Sequence, residues 1–214
     1  MVTTRGCSHG NISTRSEKRS NNSRTMMPIE VELKFPLTGG APTVAEIIEQ
    51  LEAIGGQAQP SRQQRDHYYT HPGRDFGETD EALRIREDND QLRLTYKGPL
   101  MDDVAKTRLE LETGIESAEI ADGILVALGF RLLRTVSKQR RPFGVRWRNL
   151  PVEVVIDQVE GLGEFVELET ISDVDGHQSA RDHLLDLATT MGLTDSEQRS
   201  YLGLLLLADP PRDD

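Results

Sequence analysis

Glu30 and Glu32 stand two residues apart, and Glu167 and Glu169 repeat the arrangement near the other end of the chain. On an extended strand, such a pair puts both carboxylates on one face, about 6–7 Å apart. That spacing suits shared ligation of one hard divalent cation, or of two neighbouring ones. Lys34, Arg84, Arg86, Lys97, Lys138 and Arg140 sit at matching positions in charged alternating segments and supply an opposing positive ring. Carboxylate-held cations together with several Arg and Lys donors are what a triphosphate, carrying about four negative charges, requires.

Strands must position these groups. From Ile29 the pattern alternates with period two, with Ile29, Val31, Leu33 and Phe35 on one face and Glu30, Glu32 and Lys34 on the other. Further strands are expected near 63–70, 81–87, 90–97, 106–113, 131–141, 143–149, 152–159 and 163–171. Their second face is charged rather than mixed polar: Leu83 and Ile85 oppose Arg84 and Arg86, Leu109 and Leu111 oppose Lys106, Arg108, Glu110 and Glu112, and Val166 and Leu168 oppose Glu167 and Glu169. Val152 and Val154 oppose Glu153, with Asp157 in the same parity as Glu153.

Helices are expected at 43–54, opened by a Thr43/Glu46 capping box and ended by Gly55-Gly56, and at 117–128, stopped by Gly129. Two more follow from about His177, the second opened by a Thr194/Glu197 capping box. If these helices cover apolar strand faces, the charged faces turn inward. The expected fold class is therefore α+β: a closed antiparallel β-barrel of about eight strands with helices packed outside, enclosing a polar tunnel. Unpaired buried charge is costly, so such a lumen needs compensating cations and carboxylates, or a metal–triphosphate ligand.

The chain's 214 residues suit one large domain, and its formal net charge of −11 argues against general nucleic-acid or anionic-membrane binding. No run approaches the roughly 18 apolar residues that span a membrane. Cys7 is the only cysteine, which excludes an intrachain disulfide and fits a cytoplasmic location. Residues 1–26 read as a disordered basic tail, with Arg5, Arg15, Lys18, Arg19 and Arg24 against Glu17 alone, and 27–214 as a single domain. A transit peptide, a polyanion-binding arm, or a true start at Met26 or Met27 are the alternatives for the tail.

The segment EVELK (30–34) resembles the ExExK signature of the CYTH superfamily, which takes in class IV adenylate cyclases and thiamine triphosphatases. RDHYYTHP (65–72), EALRIR (81–86), LTYKGP (94–99), KTRLELE (106–112), VSKQR (136–140) and GLGEFVELE (161–169) follow in family order. The stretch from His67 to Arg86 is most similar to the CyaB-type cyclase branch. The resemblance implies the closed triphosphate tunnel, Mg2+ or Mn2+ on Glu30, Glu32, Glu167 and Glu169, and phosphates gripped by Lys34, Arg84, Arg86, Lys97, Arg108, Lys138 and Arg140. It also implies a homodimer and an acidic tunnel position at Asp157; the catalytic set is Glu30, Glu32, Asp157 and Lys97, with no separate general base demanded, though Asp157 or a metal-bound hydroxide could serve for attack by the ribose 3′-hydroxyl.

The implied reaction is ATP to 3′,5′-cyclic AMP and pyrophosphate. A triphosphatase acting on inorganic triphosphate, thiamine triphosphate or nucleoside triphosphates would use the same contacts, and so would a non-catalytic polyphosphate-binding module. Tyr68, Tyr69 and Trp147 read as packing residues, His67 and His71 as loop or surface histidines, and Glu112 as continuing the charged face without reaching metal.

Overall fold

The computed structural model describes residues 29–100, 106–173 and 175–210; residues 1–26, expected to be a tail, lie outside them. Eight strands close on themselves: β1 (Ile29–Pro36), β3 (Arg62–Thr70), β4 (Ala82–Asp88), β5 (Gln91–Lys97), β6 (Lys106–Gly114), β7 (Arg131–Trp147), β8 (Leu150–Val159) and β9 (Gly163–Ser172). The ring runs β7-β3-β4-β5-β6-β1-β9-β8 and returns to β7, every pairing antiparallel. The two-residue β2 (Gln57–Ala58) extends the β7 edge. Closure leaves no exposed barrel edge and makes a lumen unavoidable.

The expected strands at 131–141 and 143–149 are one 17-residue strand that passes through Pro142. The Pro142 carbonyl accepts from the Gln59 amide at 2.9 Å. Its nitrogen therefore faces the same side, between the β2 and β3 pairings, where the absent N–H breaks no long ladder.

Helices cover the apolar faces. α1 (Val44–Ala53) carries the expected capping box, with the Glu46 amide donating to the Thr43 hydroxyl at 3.3 Å and the Thr43 amide donating to the Glu46 carboxylate at 2.8 Å. Gly55, at φ +83°, ends it. α4 (His177–Thr190) lies beside α1, and Ile47, Leu51, Leu184 and Leu187 pack on Ile29, Val31, Leu33, Val154 and Leu168 in one core. Each fully buried leucine there stabilises the fold by about 1.5–3 kcal/mol relative to exposure.

α3 (Ala118–Ala127), N-capped by Ser117, places Leu125 on Tyr69, Leu83 and Ile85 on the opposite side of the barrel. Trp147 packs under α4, its indole N–H donating to Asp186 at 2.7 Å, and Tyr69 donates to Asp122 at 2.8 Å. Both are packing residues, as their types suggest. His67 points outward, bonded to Thr135 and Glu87.

The last helix begins later than expected. α5 is Tyr201–Ala208, N-capped by Ser200, and the Thr194/Glu197 capping box does not form. The Glu197 amide instead donates to the Lys34 carbonyl at 2.7 Å, and its carboxylate takes Arg199. The connection is thereby tied to β1, and α5 is delivered to one end of the barrel. A short α2 (Phe76–Thr79), invisible to periodicity at four residues, lies in the β3–β4 connection.

Candidate active site

The barrel encloses a cavity of about 960 Å³, at the upper end of the roughly 300–1,000 Å³ of ligand pockets. Glu30, Glu32, Lys34, Arg84, Arg86, Lys97, Arg108, Lys138, Arg140, Glu167 and Glu169 all line it. The pleat that sends the β1 aliphatics to α1 and α4 sends the charged residues inward, as the helix-covered faces require.

Register brings the glutamates together. Glu32 on β1 lies directly opposite Glu169 on β9, and Lys34 opposite Glu167. Carboxylate oxygens of Glu32, Glu167 and Glu169 lie within 4.8 Å of one another. Glu30 stands apart from this trio. Its carboxylate is bonded to the Lys97 ammonium, and Arg108 Nε lies 3.9 Å away. Of the four glutamates expected to hold metal, the geometry groups three.

The cations are positioned by carboxylates behind them. Asp157 accepts from Arg140 at 2.9 and 2.7 Å, from Lys138 at 3.1 Å and from the Tyr201 hydroxyl at 3.2 Å. Burial alone would raise its pKa, but Arg140 and Lys138 overcome that and hold it well below the usual carboxylate range. An acid so held is a poor proton acceptor; Asp157 anchors two cations, which corrects its expected place as a candidate base. Asp66 performs the same service for Arg86, at 2.6 and 2.7 Å, and for Arg84 at 3.3 Å.

Two contributors escaped the sequence reading. Tyr201 is buried on α5, with Lys34 Nζ 4.5 Å and Lys138 Nζ 5.0 Å from its ring centroid. A tyrosine opening an apolar helix carries no local signal of a place in a tunnel. Tyr68 packs as expected but also faces the lumen, its hydroxyl accepting from Arg84 at 3.2 Å. Arg108 is fixed by Asp80, donating to its carbonyl at 2.9 Å. Glu112 lines the cavity and accepts from Arg93 at 2.6 Å and Thr95 at 3.0 Å.

Electrostatics show what the lumen lacks. Among the described residues its lining carries ten basic and ten acidic side chains. A nearly balanced lumen gains little by taking up about four negative charges alone; divalent cations entering with the anion restore the balance. A divalent cation would be held by carboxylates. Burial raises Glu169 well above the usual range, Arg140 pulls it down, and the neighbouring Glu167 and Glu32 raise it further. Burial likewise pushes Glu30 up to about 7 against the pull of Lys97. An all-oxygen trio that Arg140 and Lys34 neutralise only in part is a donor set suited to Mg2+ or Mn2+.

A family model described as the CYTH domain matches residues 28–201. The chain belongs to the CYTH family. Its tunnel is shared by solved CYTH-like structures: the PH1819 protein of Pyrococcus horikoshii OT3 superposes with a TM-score of 0.73 at 38% identity, over 84% of this chain and 99% of that one. In sequence, this CYTH chain is 35% identical over 179 residues to the Methanocaldococcus jannaschii protein provisionally named adenylate cyclase MJ0240, covering 82% of this chain and 98% of that protein. It is 33% identical over 145 residues to adenylate cyclase CyaB of Aeromonas hydrophila, covering 65% and 70% of the two. The family and these relatives make this CYTH chain an enzyme.

Proposed function

We propose that the chain is a divalent-metal-dependent adenylate cyclase that converts ATP to 3′,5′-cyclic AMP and pyrophosphate inside the tunnel. The observation that carries this reading is the Glu32, Glu167 and Glu169 trio facing a ring of buried, pre-positioned cations; the cyclase names of the two sequence relatives support it. The trio would hold Mg2+ or Mn2+, which when bound supplies Lewis-acid polarisation of the phosphate oxygens and of the attacking hydroxyl.

In the reaction the ribose 3′-oxygen bonds to the α-phosphorus. The bond from that phosphorus to the α,β-bridging oxygen breaks, pyrophosphate takes the electron pair, and the hydroxyl proton passes to solvent. Lys34, Arg84, Lys138 and Arg140 hold the phosphate chain and stabilise charge growing on the leaving pyrophosphate. Asp66 and Asp157 keep the guanidinium planes in place, so this stabilisation requires little reorganisation during turnover. Lys97 and Arg108, turned toward Glu30, line the adjoining wall.

Product analysis tests the reading. Incubation with ATP and Mg2+ or Mn2+ is expected to yield cyclic AMP and pyrophosphate in equal amounts. Orthophosphate without cyclic AMP would assign the same tunnel to water attack, a triphosphatase. Tight triphosphate binding without any turnover would leave a binding module.

A further inference from the structure

α3 carries two apolar stripes, and only one of them meets the barrel. Ala118, Ala121 and Leu125 pack inward on the cluster of Tyr69, Leu83 and Ile85. Turned the other way are Ile120, Gly123, Ile124 and Ala127, all exposed, at the i, i+3, i+4, i+7 spacing of a helix face built to pack. Leu128 and Leu132 prolong this stripe past the end of the helix. Ile120, Ile124, Leu128 and Leu132 are 53–66% exposed. Single exposed leucines are ordinary, whereas four large aliphatic side chains in one row mark a contact surface.

Gly123 indicates how that surface is met. It sits inside the helix, where glycine is unfavourable relative to alanine. The barrel does not ask for it, since a Cβ at this position would meet nothing within 4 Å. With Ala127 one turn on, it leaves a low strip beside Ile120 and Ile124, against which a second helix can pack closely. The flanking charges say which helix. Glu116 and Glu119 are exposed at the N-terminal end of the stripe and Arg131 at its C-terminal end. A copy of the same stripe turned end for end sets Arg131 beside Glu116 twice over, and its isoleucines fill the Gly123 and Ala127 strip. The two helix dipoles then run antiparallel, which also favours contact. An anionic membrane fits less well, because Glu116 and Glu119 would face its phosphates.

We infer that two copies of this chain associate through α3, the helices crossing antiparallel about Gly123 and Ile124. The homodimer that the resemblance implies comes without an interface; the outer stripe of α3 supplies one from this chain's own residues. α3 covers Leu83 and Ile85 from outside, and none of its residues lines the lumen, so pairing leaves the tunnel open and is independent of the reaction inside it. A single helix face is smaller than the roughly 800 Å² per partner of a standard interface, so association is expected at about 10 µM rather than at nanomolar concentration.

Sedimentation velocity of the full chain at about 1–200 µM tests this, the wild type being expected to pass from monomer to dimer across the range. Ile124→Glu, at an exposed position, is expected to keep the melting temperature of the dilute wild type and to weaken association about tenfold or more. Gly123→Gln fits the monomer and strengthens its helix, so it is expected to raise that melting temperature while blocking the close approach. Glu116→Arg and Arg131→Glu are each expected to weaken association about threefold or more, and the double exchange to restore it to within about twofold. A wild type that stays monomeric at about 200 µM overturns the proposal and assigns the stripe to another partner. A dimer indifferent to Ile124→Glu and Gly123→Gln places the interface elsewhere and overturns it as well. Charge exchanges that weaken association further when combined overturn the antiparallel pairing.

Discussion

Glu32 and Glu169 face each other directly across the β1–β9 pairing, and with Glu167 they gather three carboxylates within 4.8 Å. Their repulsion destabilises the metal-free fold and supplies the attraction for a cation. Glu169→Gln removes one negative charge and keeps the volume. In chelator its melting temperature is expected to exceed that of the wild type; with Mg2+ the order reverses and turnover falls about 100-fold. Paired thermal melts with and without metal, alongside initial rates, check this.

Arg140 is joined to three carboxylates, Asp157, Glu167 and Glu169. Arg140→Ala strands three carboxylates with less compensation and is expected to cost about 3–5 kcal/mol. Arg140→Lys restores charge without the planar fork. It is expected to recover stability in part, because one ammonium cannot reproduce the two-pronged contact with Asp157. Urea denaturation of the two variants resolves the difference.

Asp66 gives an acid-side signature. Burial raises its pKa, but Arg86 and Arg84 overcome that and hold it far below the usual carboxylate range. A depressed carboxylate contributes stability that is present above its unfolded pKa and lost as pH falls below it. Asp66→Asn, which strands both guanidinium groups, is expected to cost about 3–5 kcal/mol near neutral pH. Its stability should then fall less steeply than the wild type's below about pH 4, since one acid-sensitive group is gone. Melts across that range measure the slope.

Glu30 and Glu169 act in the opposite sense. Burial pushes Glu30 from 4.5 up to about 7, and Glu169 well above 4.5. A raised carboxylate contributes stability that is full below its unfolded pKa and lost as pH rises through its folded one. The metal-free protein should therefore lose stability between about pH 4.5 and about pH 7, and metal, which needs Glu169 ionised, should bind more tightly as pH rises. Calorimetric titration with Mg2+ at about pH 5 and about pH 8 is expected to show weaker binding at the lower pH, with protons released there. Equal affinity at the two values would remove Glu169 from the metal site.

The barrel and its charged interior were legible because alternation was unusually clean. Once Thr43 and Ser117 marked helices that had to cover Ile29, Val31, Leu83 and Ile85, no place but the inside remained for Glu30, Arg84 and their neighbours. What alternation cannot carry is three-dimensional partnership. Nothing near Tyr201 in sequence announces that it meets Lys34, Lys138 and Asp157 across long separations. The Thr194/Glu197 pair has the residue types of a capping box, but the tertiary bond from Glu197 to Lys34 overrides it. Pro142 suggested a strand end where the backbone merely turned its nitrogen toward a gap between β2 and β3. Asp157 shares parity with the tunnel residues, yet only its bonds to Arg140 and Lys138 show that its charge is already engaged. Glu30 was grouped with the other glutamates by spacing, and Lys97 separates it from them.

The most direct measurement is anomalous diffraction from crystals grown with Mn2+ and a non-reactive ATP analogue. A manganese peak is expected among Glu32, Glu167 and Glu169, with the triphosphate oxygens between that ion and Lys34, Arg84, Lys138 and Arg140. A manganese site on the outer surface, or a phosphate chain bound outside the barrel, would contradict the tunnel as the place of reaction.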